Sequence, residues 1–156
     1  MKGNTGKIIE VDLTSGKIEI TRLPEAYYTK YVGGSGLGAK LFWDRGDFDA
    51  DPLSHEAMLI IMNGPFAGLR LSGTSRNSVM GRSPLTGGFA DSSCGGYFAP
   101  ELRYAGFDVI VITGASRTPS LLLIEDDHIE LADAHAYWGD GVEETDKALK
   151  EQYWKK

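Results

Sequence analysis

The residues of this sequence best suited to bind an anionic ligand are one arginine and a nearby segment with few side chains. Arg76 lies among small, uncharged residues, and segment 82–102 (RSPLTGGFADSSCGGYFAPEL) contains five Gly or Pro residues before Tyr97. Glycine is favoured where φ is positive or where another group approaches the main chain closely. Gly95 and Gly96 would admit a bulky group, and the Arg76 guanidinium would bind a phosphate in bidentate fashion. The pattern indicates a flat or extended ligand that carries phosphate; tight turns and a surface salt bridge of Arg76 are the alternatives.

A second glycine cluster, 33–38 (GGSGLG), is followed by Ala39 and Lys40. A Walker phosphate loop needs Lys directly after its second Gly and Ser or Thr after that Lys, and neither condition is met. A dinucleotide fingerprint needs a preceding strand, whereas residues 27–32 have helical character. The cluster could bind an anion through free N–H groups at a helix N-terminus, or it could be a capped turn without a ligand.

The remaining chemically active side chains form no recognisable site. His55, His128 and His135 lack the spacing of metal ligands, and no carboxylates complete a set. Cys94 has neither a partner thiol nor an adjacent base, which is more typical of a small buried side chain than of a nucleophile. As the single cysteine it also excludes an internal disulfide, which fits a reducing, cytoplasmic compartment.

Composition limits the class of protein. The chain has 156 residues, a net charge of −6 and 42% hydrophobic residues, which together predict one globular domain over residues 1–156. The acidic balance disfavours a nucleic-acid partner, because phosphate binding needs clustered Lys and Arg. No apolar run approaches the ~18 residues of a membrane span, and no apolar signal segment precedes the first strand pattern.

The hydrophobic pattern predicts an α+β fold. Two hairpins are expected, at 7–13 with 17–22 and at 120–125 with 128–132, because apolar and polar residues alternate on both sides of a turn. Further strands are predicted at 58–62, 74–81 and 107–113. Helices are predicted at 24–32, 36–43 (with Ser35 as N-cap), 98–104 and 143–154. Because strands dominate and several pair locally, a doubly wound parallel sheet is disfavoured.

Six segments that follow one another along the chain resemble the amino-terminal domain of the tungsten-dependent aldehyde:ferredoxin oxidoreductase family. They run nearly end to end: GKIIEVDLTSG, YVGGSGLGAKLF, DPLSHEAMLIIMNGP, SRNSVMGRSPLTG, SSCGGYFAPELRYAGFD and HIELADAHAYWG. One segment alone would be a weak signal, whereas six in the family's order are specific.

The resemblance implies two β-sheets on which a bis-pterin tungsten (or molybdenum) cofactor lies. It assigns Arg76 as a cofactor-contacting arginine and Gly95, with the adjacent Gly96, as further contacts. Ser93, where many members have Asn, would bind through its main-chain carbonyl a magnesium ion that bridges the pterin phosphates. Cys94 stands where Ser is frequent and is not expected to bind metal, because pterin sulfurs hold the tungsten. No catalytic side chain is assigned to this chain.

The resemblance also implies oxidation of aldehydes to carboxylic acids with ferredoxin as electron acceptor. In the family, later domains supply the iron–sulfur cysteines and the acid–base groups. Residues 1–156 would be most of the N-terminal tungstopterin-binding domain, with the later iron–sulfur domains absent, and one cysteine cannot ligate a cluster. We therefore expect the chain alone to be inactive, with C-terminal domains or a complementary chain as partner. The alternatives are a non-catalytic module that binds pterin cofactor or a partner, and a truncated remnant that self-associates through its open face into a homo-oligomer.

Overall fold

The computed structural model describes residues 3–154 of the 156. Eight strands and four α-helices follow one another within these residues. They are β1 (Lys7–Asp12), β2 (Lys17–Arg22), α1 (Glu25–Tyr31), α2 (Gly34–Arg45), β3 (Leu59–Asn63), β4 (Asn77–Arg82), β5 (Phe89–Cys94), α3 (Phe98–Tyr104), β6 (Val109–Thr113), β7 (Ser120–Glu125), β8 (His128–Asp133) and α4 (Val142–Tyr153). A short 3-10 helix, His135–Tyr137, precedes α4.

Six strands form one sheet in the order β2-β1-β6-β3-β4-β5, and β7 pairs with β8 in a separate two-stranded sheet. Every pair is antiparallel except β1 with β6. The two sheets and short helices confirm the predicted α+β class. Among residues 3–154, no helix is both long and apolar enough to span a membrane.

Both faces of the central part of the six-stranded sheet are covered, because the central strands carry apolar residues on both sides. Alternation along β1 directs Ile8 to one face and Ile9 to the other, and both are fully buried. On the first face, α1 and α2 supply side chains such as Leu41. On the second face, α3 and the β7–β8 hairpin pack against the sheet. The hairpin depends on this packing, because an isolated two-stranded sheet is marginally stable in water.

The structure corrects the predicted start of α2. The helix begins at Gly34 with Gly33 as N-cap and has no side-chain cap. Ser35 lies in the first turn, and its hydroxyl lies 2.9 Å from the Ser78 hydroxyl of β4. Gly38 faces the sheet, where an added Cβ would overlap the buried Met80 side chain. The second glycine cluster therefore lets α2 approach the sheet closely.

The structure also contains a strand that the sequence did not indicate. Residues 89–94 (FADSSC) form β5 at one edge of the sheet and pair with β4 over its full length. The segment has little apolar character, and five of its six residues are exposed. Main-chain hydrogen bonding to β4 therefore determines this strand, rather than burial of its side chains.

Candidate functional site

The pairing of β4 with β5 brings the sequence-predicted site residues to one end of the sheet. Arg76 directly precedes β4, Ser93 lies near the end of β5, and Gly95 and Gly96 follow it. Because the strands are antiparallel, the start of β4 lies beside the end of β5. The Ser75 hydroxyl donates a hydrogen bond to the Gly96 carbonyl and links the two segments. We call Arg76, Ser93, Gly95 and Gly96 the candidate site.

Arg76 has a fixed main chain and an unengaged side chain. Its carbonyl accepts a hydrogen bond from the Gly64 N–H at 2.9 Å. Its side chain is exposed, and within residues 3–154 its guanidinium makes no hydrogen bond or ion pair. The surface salt bridge that was the alternative role for Arg76 is therefore not formed in the described part of the chain. A free guanidinium suits a phosphate, because its planar donors match two phosphate oxygens.

The main-chain carbonyl of Ser93 faces the open edge of the sheet. Hydrogen bonding alternates along an antiparallel pair, so that every second residue bonds the neighbouring strand. Ser83 and Gly88 are such a bonded pair, because the Ser83 N–H donates to the Gly88 carbonyl at 2.8 Å. Taking every second pair along the register makes Asn77 and Cys94 a bonded pair as well. Ser93, opposite Ser78, is consequently a non-bonded position. Because β5 is an edge strand, this carbonyl is free to bind a cation.

The two glycines leave the main chain beside Arg76 unobstructed. Gly95 and Gly96 are both exposed. A Cβ built on Gly96 would meet no heavy atom within 4 Å, and one on Gly95 would meet only the Ser75 carbonyl oxygen at 3.6 Å. Gly96 also has φ = 99°, which disfavours other residues. The protein itself does not require Gly at position 95, whereas a group lying against the main chain would.

Cys94 is exposed, which corrects the expectation of a small buried side chain. The reason is its place on an edge strand whose outer residues lack a covering element. Within residues 3–154, no group of three or more His, Cys, Asp or Glu side chains is arranged to hold a metal ion.

Two buried carboxamides lie beneath the candidate site. Asn63 and Asn77 are directly opposite each other in the β3–β4 register, and only 2% and 5% of their surfaces are exposed. The Asn63 Nδ2 donates to the Ala99 carbonyl at 3.0 Å and ties α3 to the end of β3. The Oδ1 atoms of both side chains are buried without a hydrogen-bond partner among the described residues. Two side-chain oxygens at this end of the sheet can therefore still accept a hydrogen bond.

Sequence reasoning missed a buried ion pair next to the site, between Arg103 of α3 and Asp108. Asp108 is 1% exposed, and its carboxylate accepts hydrogen bonds from the Thr5 and Gly6 N–H groups at 2.9 and 2.7 Å. The Tyr28 hydroxyl donates to the same oxygen at 2.9 Å. Burial raises the pKa of Tyr28, and the Asp108 charge and this hydrogen bond raise it further. The available signal was an acidic residue inside an apolar strand pattern, which needs buried partners.

Comparison with known proteins identifies the family. The protein-family model described as "Aldehyde ferredoxin oxidoreductase, N-terminal domain" matches residues 8–156 of this chain. The chain belongs to this family. It is 39% identical over 152 residues to the "Tungsten-containing aldehyde ferredoxin oxidoreductase" of Thermococcus kodakarensis and 41% identical to that of Pyrococcus abyssi, in each case covering 97% of this chain. It is 36% identical to the "Aliphatic sulfonate oxidoreductase, WOR-like subunit" of Pyrococcus furiosus.

A solved structure agrees with this family assignment. The "Active site complex BamBC of Benzoyl Coenzyme A reductase in complex with 1,5 Dienoyl-CoA" superposes with a TM-score of 0.92 at 39% identity and covers 96% of this chain. The match covers 23% of the length of that chain and 25% of the length of each of the two aldehyde ferredoxin oxidoreductases. The chain thus spans about a quarter of the length of the relatives that it matches.

Proposed function

We propose that this chain is the cofactor-binding part of a tungsten, or molybdenum, bis-pterin oxidoreductase that oxidises aldehydes to carboxylic acids and passes electrons to ferredoxin. The observation that carries the proposal is an exposed, unengaged Arg76 guanidinium beside the unobstructed main chain of Gly95 and Gly96. Relatives described as tungsten-containing aldehyde ferredoxin oxidoreductases support the class of cofactor and substrate.

The residues at the candidate site fit such a cofactor. Arg76 would hold a pterin phosphate through two parallel N–H···O bonds, which are stronger than neutral hydrogen bonds. The free carbonyl of Ser93 would bind magnesium, which prefers oxygen ligands and needs few of them from the protein. The cofactor, when bound, supplies the redox-active metal; the chain binds and orients it along the edge of β5.

The remaining parts of the reaction need residues that the 156-residue sequence does not supply. A four-iron cluster is held by four Cys thiolates, and the sequence contains one cysteine. The candidate site also has one exposed side, whereas redox chemistry at a metal centre benefits from a site closed to water. We propose that C-terminal domains or a complementary chain cover this side and add the cluster.

Tungsten and pterin content test this function. The chain is produced with tungstate in a host that makes the pterin cofactor, and metal is measured by mass spectrometry and pterin by fluorescence after mild oxidation. We expect Arg76→Ala to reduce both at least about tenfold, because a charge-assisted hydrogen bond contributes roughly 1.5–3 kcal/mol. Arg117→Ala is the matched control and should leave both contents unchanged. Arg117 is also exposed, but it follows β6 at the end of the sheet away from the candidate site. Full loading of Arg76→Ala would refute the proposal.

A further inference from the structure

Arg103 connects the buried carboxylate of Asp108 to the candidate site. One guanidinium nitrogen, Nη1, forms the ion pair with Asp108. The other, Nη2, donates to the Gly64 carbonyl at 3.1 Å. The Gly64 N–H in turn donates to the Arg76 carbonyl at 2.9 Å. A continuous series of hydrogen bonds therefore runs from the core through Arg103 and Gly64 to the main chain of Arg76.

Arg103 and its partner Asp108 are held by groups from several parts of the chain. Its side chain is 11% exposed and that of Asp108 is 1% exposed. Asp108 is held in turn by Thr5, Gly6 and Tyr28, which lie on other parts of the chain. A buried ion pair is a weak source of stability, because desolvation of both charges offsets their attraction. Fixing the position of neighbouring groups is a role that such a pair can perform where its contribution to stability is small.

We propose that Arg103, held by Asp108, is a positioning residue that sets the place of Arg76 for cofactor phosphate; the inference rests on the proposed function of the candidate site. The fork of the guanidinium is essential, because it bonds Asp108 and Gly64 through separate nitrogens. Lysine carries the same charge on one nitrogen at the end of a flexible stem. Arg103→Lys therefore keeps a charge near Asp108 but loses the fixed bond to Gly64.

Amide hydrogen exchange tests the positioning role without a cofactor. The Gly64 N–H is the donor to Arg76, so its exchange rate reports how firmly these two segments are joined. We expect Arg103→Lys to raise the Gly64 exchange rate at least about tenfold relative to the central amide of Ile110, as loss of a bond from a charged donor implies. An unchanged ratio would overturn the inference.

Two control variants separate positioning from general destabilisation. Val11→Ala removes buried methyl groups near the end of β1 that lies away from Asp108 and leaves the hydrogen bonds of Asp108, Arg103 and Gly64 in place; we expect a lower Tm and an unchanged ratio of Gly64 to Ile110 exchange. Arg45→Lys alters an exposed ion pair with Glu10 and should change neither quantity. A rise in the exchange ratio with Val11→Ala as large as with Arg103→Lys would mean that Arg103 acts only through stability.

Cofactor loading shows whether the effect passes through Arg76. In the otherwise unchanged chain, Arg103→Lys should reduce tungsten and pterin content at least about threefold. In a chain that already carries Arg76→Ala, Arg103→Lys should reduce them no further, because the effects of coupled residues are non-additive. Equal reductions in both backgrounds would overturn the inference. If the unchanged chain carries no tungsten or pterin, the proposed function fails, and the exchange result still decides the positioning role.

A measurement on the unchanged chain covers the case in which Arg103→Lys does not fold. Nuclear magnetic resonance resolves guanidinium protons whose exchange with water is slowed by hydrogen bonding. The Arg103 Nη protons, bonded to Asp108 and Gly64, should exchange at least about tenfold more slowly than those of the exposed Arg76. Equal rates would overturn the inference.

Discussion

Arg76 of the candidate site and Arg103 next to it differ in what surrounds them, and that difference divides their roles. Arg76 is exposed and unengaged within residues 3–154, so its charge is available to a ligand and contributes little to the fold. Arg103 is only 11% exposed and is bonded to Asp108 and Gly64, so its guanidinium is engaged within the protein and is proposed to fix the main chain. A free cation on a fixed main chain favours binding, because less conformational entropy is lost when the ligand arrives.

Gly95 provides a residue-scale prediction. Gly95→Ala places a Cβ where the protein has no atom closer than 3.6 Å, at a residue without positive φ. We expect the free energy of unfolding to change by less than about 0.5 kcal/mol while tungsten and pterin content falls at least about fivefold. Gly88→Ala is the control, since Gly88 is also exposed without positive φ but lies in the turn at the other end of β4 and β5. Equal loading of the two variants would show that no group lies against Gly95.

Tyr28 provides a prediction about pH. Its folded-state pKa is raised above the ordinary value of 10.0, so the folded chain keeps the proton at a pH where the unfolded chain loses it. The stabilisation is fully present below pH ~10 and declines above it by up to about 1.4 kcal/mol per pH unit. Tyr28→Phe should make the decline in unfolding free energy between pH ~10 and ~11 less steep, as measured by urea denaturation. Parallel declines for the two proteins would contradict this.

At the scale of elements, paired strands hold the ends of the short segments that carry most of the site. Asn63 ends β3, Asn77 begins β4 and Cys94 ends β5, all at the same end of one sheet. Pairing between these strands fixes the spacing of the segments that carry Arg76 and Gly95. Sites supported by strands hold their geometry better than sites on free loops.

The central strand β6 should dominate stability. Ile110 is 1% exposed and packs in the core between the sheet, α3 and the hairpin. We expect Ile110→Ala to lower the free energy of unfolding by about 2–5 kcal/mol, because it removes buried methyl groups and leaves a cavity. Leu85→Ala, at a side chain that is 92% exposed, should change it by less than about 0.5 kcal/mol. Comparable losses in urea denaturation would mean that the core is assigned wrongly.

Elements with clear apolar alternation could be predicted from sequence, and β5 could not. The hairpin of β1 and β2 lies where alternation indicated it, and α3 matches its predicted bounds. β5 has little apolar patterning, because main-chain bonds to β4 form it. Residue type and nearness in sequence assigned Arg76, Gly95 and Gly96 to one anion-binding site, whereas the pairing of β4 with β5 that holds these segments side by side was not predicted. Arg103 was missed for a related reason: its contacts with Gly64 and Asp108 depend on tertiary structure.

At the scale of the whole molecule, the chain spans about a quarter of the length of its matched relatives. Those relatives have different described activities, on aldehydes and on aliphatic sulfonates, although the part that they share with this chain is similar. A common domain joined to other parts that differ between relatives is consistent with both facts. Function is carried by sites added to a fold rather than by the fold itself.

The isolated 156-residue chain should therefore not oxidise aldehydes. One cysteine cannot ligate an iron–sulfur cluster, so we expect electron transfer towards ferredoxin to require the proposed partner domains. We expect no reduction of ferredoxin above background when the purified, tungsten-loaded chain is supplied with an aldehyde. Sustained turnover would contradict the proposal that partner domains complete the enzyme.

The position of tungsten tests the central claim most directly. Crystals of the chain produced with tungstate and pterin cofactor, measured at the tungsten absorption edge, would locate the metal by anomalous scattering. We expect a single strong peak on the open side of Gly95 and Gly96, with the Arg76 guanidinium bound to a phosphate of the same group. A peak at another surface, or Arg76 pointing away from the bound cofactor, would contradict the account.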